Sequence, residues 1–406
     1  MKFNKVGQVS LVSGLALILA STFTACAPVT IDYLFVAGQR ANAQGQGQIQ
    51  SFLVDRVSGA LNPVNSVVAS GGVTPVSEAV STDFANLYVA NQGDSSLVQF
   101  SIAGNGVLKA VTTISLSSEG NTPVAIAMNT AGTLLFVANR FQPGCTTATT
   151  GANACNGGAL AVFPVAASGA LGSPVANGSL NYWPVGVNPT AVNALAGGTA
   201  VYVASYDPAA GLGYLYGFNS ATAGALSTIS GSPFDSGVKP VGIASTPTSR
   251  FVYVTDFAQN ELIAYSVLDG GVLHPLINGP FKTGNQPSAI TIDPRGIYIY
   301  VTNELDNTVS AYVIATQTGT PSAAVNTTGS AANITQTEPV AVVVDVAFGR
   351  FVYAANFLDN SVSGFQLNPA TGTLAPAQST PYPSIGAPVA VASVPHGNHS
   401  VNVVQP

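Results

Sequence analysis

The chain has few charges, few histidines, three cysteines and a single tryptophan. Charged residues make up 7% of its 406 positions, with 11 Lys and Arg against 17 Asp and Glu. No basic stripe is present, which argues against a nucleic-acid-binding surface. The three histidines form no cluster with metal-ligand spacing, so neither a metal nor another cofactor is predicted. The 47% hydrophobic content excludes a disordered chain.

The first 25 residues have the layout of a secretory signal. Lys2 and Lys5 precede an apolar run from Leu11 to Ala20 that is too short for a permanent membrane span. The sequence Phe23-Thr24-Ala25-Cys26 resembles a bacterial lipoprotein cleavage site. That resemblance implies a lipidated Cys26 and an exported protein, anchored in the cell envelope (periplasm or outer membrane). The alternative is an ordinary signal peptide with an incidental Cys.

The remaining two cysteines, Cys145 and Cys155, lie in one loop rich in Gly, Thr and Ala. In an oxidising compartment an even pair of this kind predicts a disulfide, with two free thiols as the alternative. The predicted division of the chain is a signal peptide at 1–25, an anchor linker at 26–31 and one folded unit at 32–406.

Helical patterns are absent, and a short apolar run recurs instead. Its seven copies have an aromatic residue at the centre and recur every 53 residues on average, (353 − 35)/6. Each ends three residues later, mostly at Asn, Asp or Ser. Such a run predicts a strand that leads into a hairpin. The central aromatics are Phe35, Tyr88, Phe136, Tyr202, Tyr253, Tyr300 and Tyr353.

Three further signals complete each repeat. A proline precedes the aromatic by 13 or 14 residues and suits the first position of a strand, because proline has no N–H. A second aromatic ends an alternating run, which predicts the return strand of the hairpin. A glycine then precedes a fourth, weaker strand. We name the four strands A to D; the prolines are Pro75, Pro123, Pro189, Pro240, Pro287 and Pro339, and the glycines are Gly59, Gly106, Gly169, Gly224, Gly271, Gly319 and Gly372.

Small four-stranded sheets cannot bury both of their faces alone. A ring of sheets buries them, which predicts an all-β fold, a seven-bladed β-propeller. The first repeat lacks strand A, and Pro388–Ala392 supplies one near the C-terminus. We therefore expect the two ends of the chain to share the first blade. Val401–Val403 resembles one further strand, so an eight-bladed ring is the alternative.

In such a ring the B-to-C hairpins and the D-to-A connections emerge on one face, around the channel mouth. The hairpin aromatics are 12 residues apart in four blades, but 17, 27 and 16 apart in blades 1, 3 and 4. Long loops in compact domains are often functional, so these hairpins are predicted to form a wall beside the mouth. The residues before each strand A are predicted to ring the channel: Thr74, Thr122, Asn188, Lys239, Gln286, Glu338 and Ala387.

Candidate site residues follow from this placement. The catalytic candidates are Arg140, Lys239, Asp256 and Glu338, and the ligand-binding candidates are Asn91, Asn139, Asn188, Gln286, Asn303, Glu304 and Asn356. The alternative role for Asn and Asp at a strand end is to form an Asx turn. The alternative for Arg140, Lys239 and Glu338 is that they are solvated charges on loops. His274, His396 and His399 are interpreted as turn residues.

The repeats Tyr253-Val254-Thr255-Asp256 and Tyr300-Val301-Thr302-Asn303 resemble Tyr-Val-Thr-Asn repeats. From about residue 32 to 405 the chain resembles the seven-bladed lactonase propellers, the 6-phosphogluconolactonase-like family. The resemblance implies hydrolysis of a sugar lactone by water that attacks the ring carbonyl. Such a reaction needs a base and an oxyanion-stabilising group.

One segment departs from the family pattern. Members have an Arg-Gln and a Pro-His-Xaa-His segment before a middle blade, whereas Asn181 to Val192 contains neither His nor Arg. Two hypotheses therefore stay open: an anchored lactonase, and a non-catalytic envelope propeller that binds a glycan, a peptide or a protein. In both, the protein is expected to be a monomer that meets the membrane only through its anchor.

Overall fold

A computed structural model describes residues 29–145, 157–197, 199–326 and 329–397, apart from the side chains of residues 65 and 66. The predicted signal peptide, Cys26, Cys155 and Val401–Val403 lie outside the described residues. Lipidation and the disulfide of Cys145 therefore stay predictions. The first strand begins at Thr30, two residues before the predicted start of the folded unit.

The described residues form seven antiparallel sheets. Blade 1 contains β1 (Thr30–Gly38), β2 (Gln48–Asp55) and β3 (Leu61–Ala69). Blade 2 contains β4 (Pro75–Val80), β5 (Asn86–Asn91), β6 (Ser96–Ile102) and β7 (Leu108–Ser115). Blade 3 contains β8 (Asn121–Met128), β9 (Leu134–Phe141), β10 (Gly158–Pro164) and β11 (Trp183–Val185).

The later blades each contain five strands. Blade 4 has β12 (Pro189–Ala194), β13 (Ala200–Asp207), β14 (Leu212–Ser220), β15 (Leu226–Thr228) and β16 (Phe234–Asp235). Blade 5 has β17 (Pro240–Ser245), β18 (Phe251–Asp256), β19 (Glu261–Val267), a 3-10 turn (Asp269–Gly271), β20 (Leu273–Pro275) and β21 (Phe281–Lys282). Blade 6 has β22 (Pro287–Ile292), β23 (Tyr298–Asn303), β24 (Thr308–Ile314), β25 (Pro321–Ala323) and β26 (Ala332–Ile334). Blade 7 has β27 (Pro339–Val344), β28 (Phe351–Asn356), β29 (Ser361–Leu367), β30 (Leu374–Pro376) and β31 (Tyr382–Pro383).

The ring closes as predicted. The C-terminal strand β32 (Pro388–Pro395) pairs with β1, with Val391 opposite Val36, and so supplies strand A of blade 1. Each strand A contacts the strand A of both neighbouring blades, including β32 with β4 and with β27. The prediction of a seven-bladed all-β propeller with a shared first blade is confirmed. No helix in the described part of the chain is long and apolar enough to cross a bilayer.

The fourth strand differs from the prediction. In blades 4 to 7 it is split into two short strands that both pair with strand C. Between the two halves, blades 4, 5 and 7 have a proline, at Pro233, Pro280 and Pro381. Since proline offers no N–H, it interrupts the ladder there. In blade 3 the segment after Gly169 forms only isolated bridges, Val165 with Leu171 and Asn177 with Leu180, and β11 takes the outer position.

The predicted glycines lie at the turns between strands C and D. All seven have φ between +68° and +91°, a region that favours glycine. Gly59, Gly106, Gly319 and Gly372 each also contact an aromatic ring of the preceding blade. A Cβ at Gly319, for example, would lie 2.3 Å from Cδ1 of Phe251.

The central tyrosines of strand B explain the repeat. Each is fully buried, and its hydroxyl donates to a backbone carbonyl of the next blade. The five bonds are Tyr88 to Gly169, Tyr202 to Gly271, Tyr253 to Gly319, Tyr300 to Gly372 and Tyr353 to Gly59. Blades 1 and 3 have Phe35 and Phe136 at this position, and there Tyr33 donates to Gly104 and Trp183 to Leu226 instead. All seven junctions between blades therefore have at least one side-chain donor of this kind.

Candidate functional site

The mouth of the channel is built by one repeated backbone contact. In six blades the residue before strand A accepts a hydrogen bond, through its carbonyl, from the residue four positions after the central aromatic of strand B. The six pairs are Gln39 to Ala387, Gln92 to Thr74, Tyr206 to Asn188, Phe257 to Lys239, Glu304 to Gln286 and Phe357 to Glu338. The contact places the predicted ring residues beside a second set of side chains from the hairpins. These two sets form the mouth.

Six of the seven predicted ring residues have positive φ, between +45° and +61°. They are Thr74, Thr122, Asn188, Gln286, Glu338 and Ala387. Such a conformation costs free energy in a residue other than glycine and needs support from its surroundings. In three blades the support is an Asn of the preceding hairpin. Asn260, Asn307 and Asn360 accept the N–H of Gln286, Glu338 and Ala387, respectively.

The amides predicted to bind a ligand at the ends of strand B are buried. Asn91, Asn139, Asn303 and Asn356 are all 0% exposed. Asn303 donates to Thr308 and Ser310 and accepts the N–H of Gly284, while Asn356 donates to Ser361 and Ser363. Their position favours the structural alternative, in which they hold hairpin and connection together.

Asp256, a predicted catalytic residue, is also fully buried. Its carboxylate accepts four backbone N–H groups, from Val238, Lys239, Ala258 and Gln259, at 2.7–3.2 Å. Both oxygens of this carboxylate are therefore engaged within the hairpin and the connection. Its geometry favours the Asx-turn alternative.

Lys239 differs from the other ring residues. Its ammonium lies 4.0 Å from the ring centroid of Phe257 and 5.7 Å from that of Tyr206, in the range of cation–π contacts. Among the described residues it forms no ion pair within 4.0 Å. The two aromatic rings therefore hold the cation at the mouth without neutralising it.

Glu304 and Glu338 lie near this cation, in the next two blades. Burial raises the pKa of the Glu304 carboxyl, the negative charge of Glu338 raises it further, and Lys239 opposes both. The structure therefore groups Lys239, Glu304 and Glu338 electrostatically. Two of the three were predicted as catalytic residues, and Glu304 was predicted as a ligand contact.

A cleft of about 340 Å³ opens beside Lys239, and we call it the mouth cleft. Its lining combines the ammonium with an aromatic ring, three amides and an exposed Leu305. The remaining lining residues are Phe257, Ala258, Asn260, Asn285 and Gln286. Pockets of this size suit small molecules.

The wall predicted from the long hairpins is present in blade 4. Strands β13 and β14 extend as a regular ladder, with Asp207 opposite Leu212. With blade 3 they form a second cleft of about 250 Å³, lined by Arg140, Asn188 and Asp207 among others. Arg140 donates to the Asn188 amide oxygen at 3.3 Å. The blade 3 hairpin lies partly outside the described residues.

Sequence reasoning missed the aromatic part of the mouth. Tyr206, Phe257 and Phe357 are partly buried, and each lies four residues after the central aromatic of its strand B. That position is recognisable from the repeat, but an apolar side chain there does not by itself indicate a ligand contact. Of the part of the chain that the structure covers, no group of three or more His, Cys, Asp or Glu is placed to hold a metal ion.

The fold and the mouth together define a class: a seven-bladed propeller with a small-molecule cleft beside its channel. The model of the family described as lactonase, 7-bladed beta-propeller, matches residues 77–147 and 179–388. The chain therefore belongs to this lactonase family. A search of curated protein sequences found no match.

Solved structures agree on the fold. The chain is similar to the periplasmic gluconolactonase of Pseudomonas aeruginosa, with a TM-score of 0.72 and 17% identity over 90% of this chain and 99% of that one. It is also similar to proposed 6-phosphogluconolactonases from Bacteroides fragilis (TM-score 0.70, 17% identity, 90% and 98% covered) and Bacteroides uniformis (0.69, 18%, 90% and 100%). At these identities the likeness shows the fold.

Proposed function

We propose that the protein hydrolyses a sugar-derived lactone at the mouth cleft. The observation that carries this proposal is the grouping of a free cation, Lys239, with a partly buried carboxyl, Glu304, whose pKa is raised. Lactone hydrolysis needs a base for water and a positive group for the oxyanion, and these two side chains supply that pair.

In the proposed reaction Glu304 takes a proton from water as the water oxygen attacks the ring carbonyl carbon. The negative charge that develops on the carbonyl oxygen is stabilised by the Lys239 ammonium. Collapse of the tetrahedral intermediate then breaks the bond between the carbonyl carbon and the ring oxygen. The proton held by Glu304 passes to the departing ring oxygen, which becomes a hydroxyl.

The electrostatics suit this role for Glu304. A carboxylate with its ordinary pKa near 4 is a weak base, and a raised pKa brings it closer to the pH at which it must act. Glu338 contributes through its charge, since it helps to raise the pKa of Glu304. Glu338 is thus a residue that tunes the base.

The experiment is hydrolysis of simple aldonolactones by the purified protein, corrected for the spontaneous rate. We expect Lys239→Met to lower kcat by about 10²-fold, the loss typical of one oxyanion-stabilising group. We expect Glu338→Gln to move the acidic limb of the pH profile to lower pH, because it removes a charge that raises the pKa of Glu304. Asp269→Asn, an exposed change between strands C and D on the opposite face, is the control. If lactones are hydrolysed no faster with the protein than without it, the proposal is excluded.

A glycan-binding propeller without turnover is the second candidate. It is favoured by the aromatic rings of Tyr206, Phe257 and Phe357 around the mouth, since such rings stack on sugars, and by the absence of His and Arg from 181–192. Saturable sugar binding without lactone hydrolysis would support it in place of the lactonase.

We propose that the protein acts outside the cytoplasm, held in the envelope by a lipid on Cys26. Support comes from the signal-like segment at 1–25. Processing that requires Cys26, lost in Cys26→Ala, is the expected result. Export of the Cys26→Ala chain with normal cleavage would instead indicate an ordinary signal peptide.

A further inference from the structure

The mouth cleft carries a charge pattern that bears on the kind of lactone it accepts. Its lining contains a single cation, Lys239. Glu304 lies beside this lining, because its backbone N–H donates to the Gln286 carbonyl at 2.9 Å and the next residue, Leu305, lines the cleft. Glu338 is close enough for its charge to act on the Glu304 carboxyl. The local sum of these three charges is negative.

A third carboxylate borders the cleft and engages one of its amides. Asp306 accepts both the backbone N–H and the side-chain amide of Asn285, a lining residue, at 2.7 and 2.8 Å. The amide oxygen of Asn260, another lining residue, is occupied by the N–H of Gln286. These contacts add negative charge at the rim and hold the amides in place.

Arg140 does not offset the negative charge at the mouth cleft. It lies in the separate cleft between blades 3 and 4, where it donates to Asn188 and where Asp207 also lines the wall. Phosphate recognition commonly uses Arg in paired hydrogen bonds or a cluster of backbone N–H groups. The described lining of the mouth cleft contains no Arg.

The remaining surface suits an uncharged sugar. Phe257 and Leu305 offer apolar area to the faces of a ring, and Gln286 offers an amide for hydroxyl groups. We propose that the site accepts unphosphorylated, uncharged lactones and discriminates against lactones that carry a phosphate. This inference rests on the proposed function and specifies its substrate class.

The size of the discrimination follows from Coulomb's law. A phosphate carries nearly two negative charges at neutral pH. Two such charges about 8 Å from one net negative charge, in a water-like dielectric, are disfavoured by about fivefold. The preference should weaken at high salt, because the screening length falls from about 10 Å at 0.1 M to about 3 Å at 1 M.

The test compares kcat/KM for glucono-1,5-lactone and for its 6-phosphate, at low and high salt. We expect the neutral lactone to be preferred by at least about fivefold at low salt. Glu338→Gln should reduce this ratio, whereas Asp269→Asn, which removes an equal charge on the opposite face, should leave it unchanged. A preference for the phosphate, or a ratio that Glu338→Gln does not alter, would overturn the inference while the lactonase stands.

Binding separates the two ideas if neither lactone is hydrolysed. Glucose and glucose 6-phosphate contain no lactone bond, and their affinities can be measured by calorimetry. Tighter binding of glucose supports the charge inference even where the lactonase proposal has failed. Equal or tighter binding of glucose 6-phosphate refutes it.

Discussion

Tyr353→Phe tests how the ring is held closed. The Tyr353 hydroxyl donates to the Gly59 carbonyl at 2.8 Å, across the junction between blade 7 and blade 1. The ring of Tyr353 is fully buried, so the substitution removes one oxygen atom and changes little else. It therefore isolates the hydrogen bond from the packing of the ring.

The cost has two parts. A buried hydrogen bond contributes about 0.5–1.5 kcal/mol net, and an unsatisfied buried acceptor can add about 1 kcal/mol. The Tyr382 hydroxyl, 3.4 Å from the same carbonyl, remains as a weak partner. We expect Tyr353→Phe to lower the free energy of unfolding by about 1–2 kcal/mol. Since a domain of this size unfolds with a large entropy, Tm should fall by only about 1–2 °C.

Urea denaturation is the sharper assay, because its midpoint responds to small free-energy changes. Tyr300→Phe, which removes the bond to Gly372 at 2.9 Å, should show a similar loss in a junction between blades 6 and 7. Tyr214→Phe is the matched control, since its partly buried hydroxyl forms no hydrogen bond within the described residues. If all three variants have the same midpoint as the parent, the hydroxyls do not hold the blades together.

Three further changes test other features of the fold. Burial and the nearby charge of Asp345 raise the pKa of Asp32, so the folded protein keeps a proton that the unfolded chain releases above about pH 4. Asp32→Asn removes this difference and should therefore raise the free energy of unfolding at pH 7, and raise it by less at pH 4. Burial raises the pKa of Glu78 to about 8, so stability should fall as pH rises from about 4.5 to about 8, and Glu78→Gln should flatten that slope in urea titrations. Gly319→Ala should cost more than about 2 kcal/mol, because it combines a φ of +75° with a Cβ at 2.3 Å from the Phe251 ring.

Each of these has a contrary result. An Asp32→Asn variant that is less stable by the same amount at both pH values would show that Asp32 has the same pKa in the folded and unfolded states. If the free energy of unfolding of Glu78→Gln has the same pH dependence as that of the parent, another group causes the loss of stability. A Gly319→Ala variant as stable as Gly104→Ala, where a Cβ has open space, would mean that the blade junction adapts freely.

The repeat made the fold predictable because it recurs with fixed spacing. Central aromatics, opening prolines and turn glycines each reflect a local requirement: a buried strand centre, a strand start without N–H, and a positive φ. Closure followed from the missing strand A of the first repeat. The split of the outer strand did not follow, since pairing partners of two- and three-residue strands depend on the packed neighbours.

The site was less predictable, for a physical reason. Asn at the end of strand B has the same local pattern whether it binds a ligand or holds a turn, and burial decides between these roles. Asn303 and Asp256 are fully buried with their oxygens engaged, whereas Glu304, one residue beyond strand B, is only partly buried. Its raised pKa depends on Glu338 and Lys239 from other blades, a grouping that exists only after the ring has closed.

The rate of glucono-1,5-lactone hydrolysis by Glu304→Gln, measured at pH 7 beside the unaltered protein, addresses the proposed lactonase most directly. The unaltered protein should exceed the spontaneous rate, and Glu304→Gln should reduce kcat by about 10²–10⁴-fold, the usual contribution of a general base. A Glu304→Gln protein that retains full kcat, or an unaltered protein that adds nothing to the spontaneous rate, would contradict it.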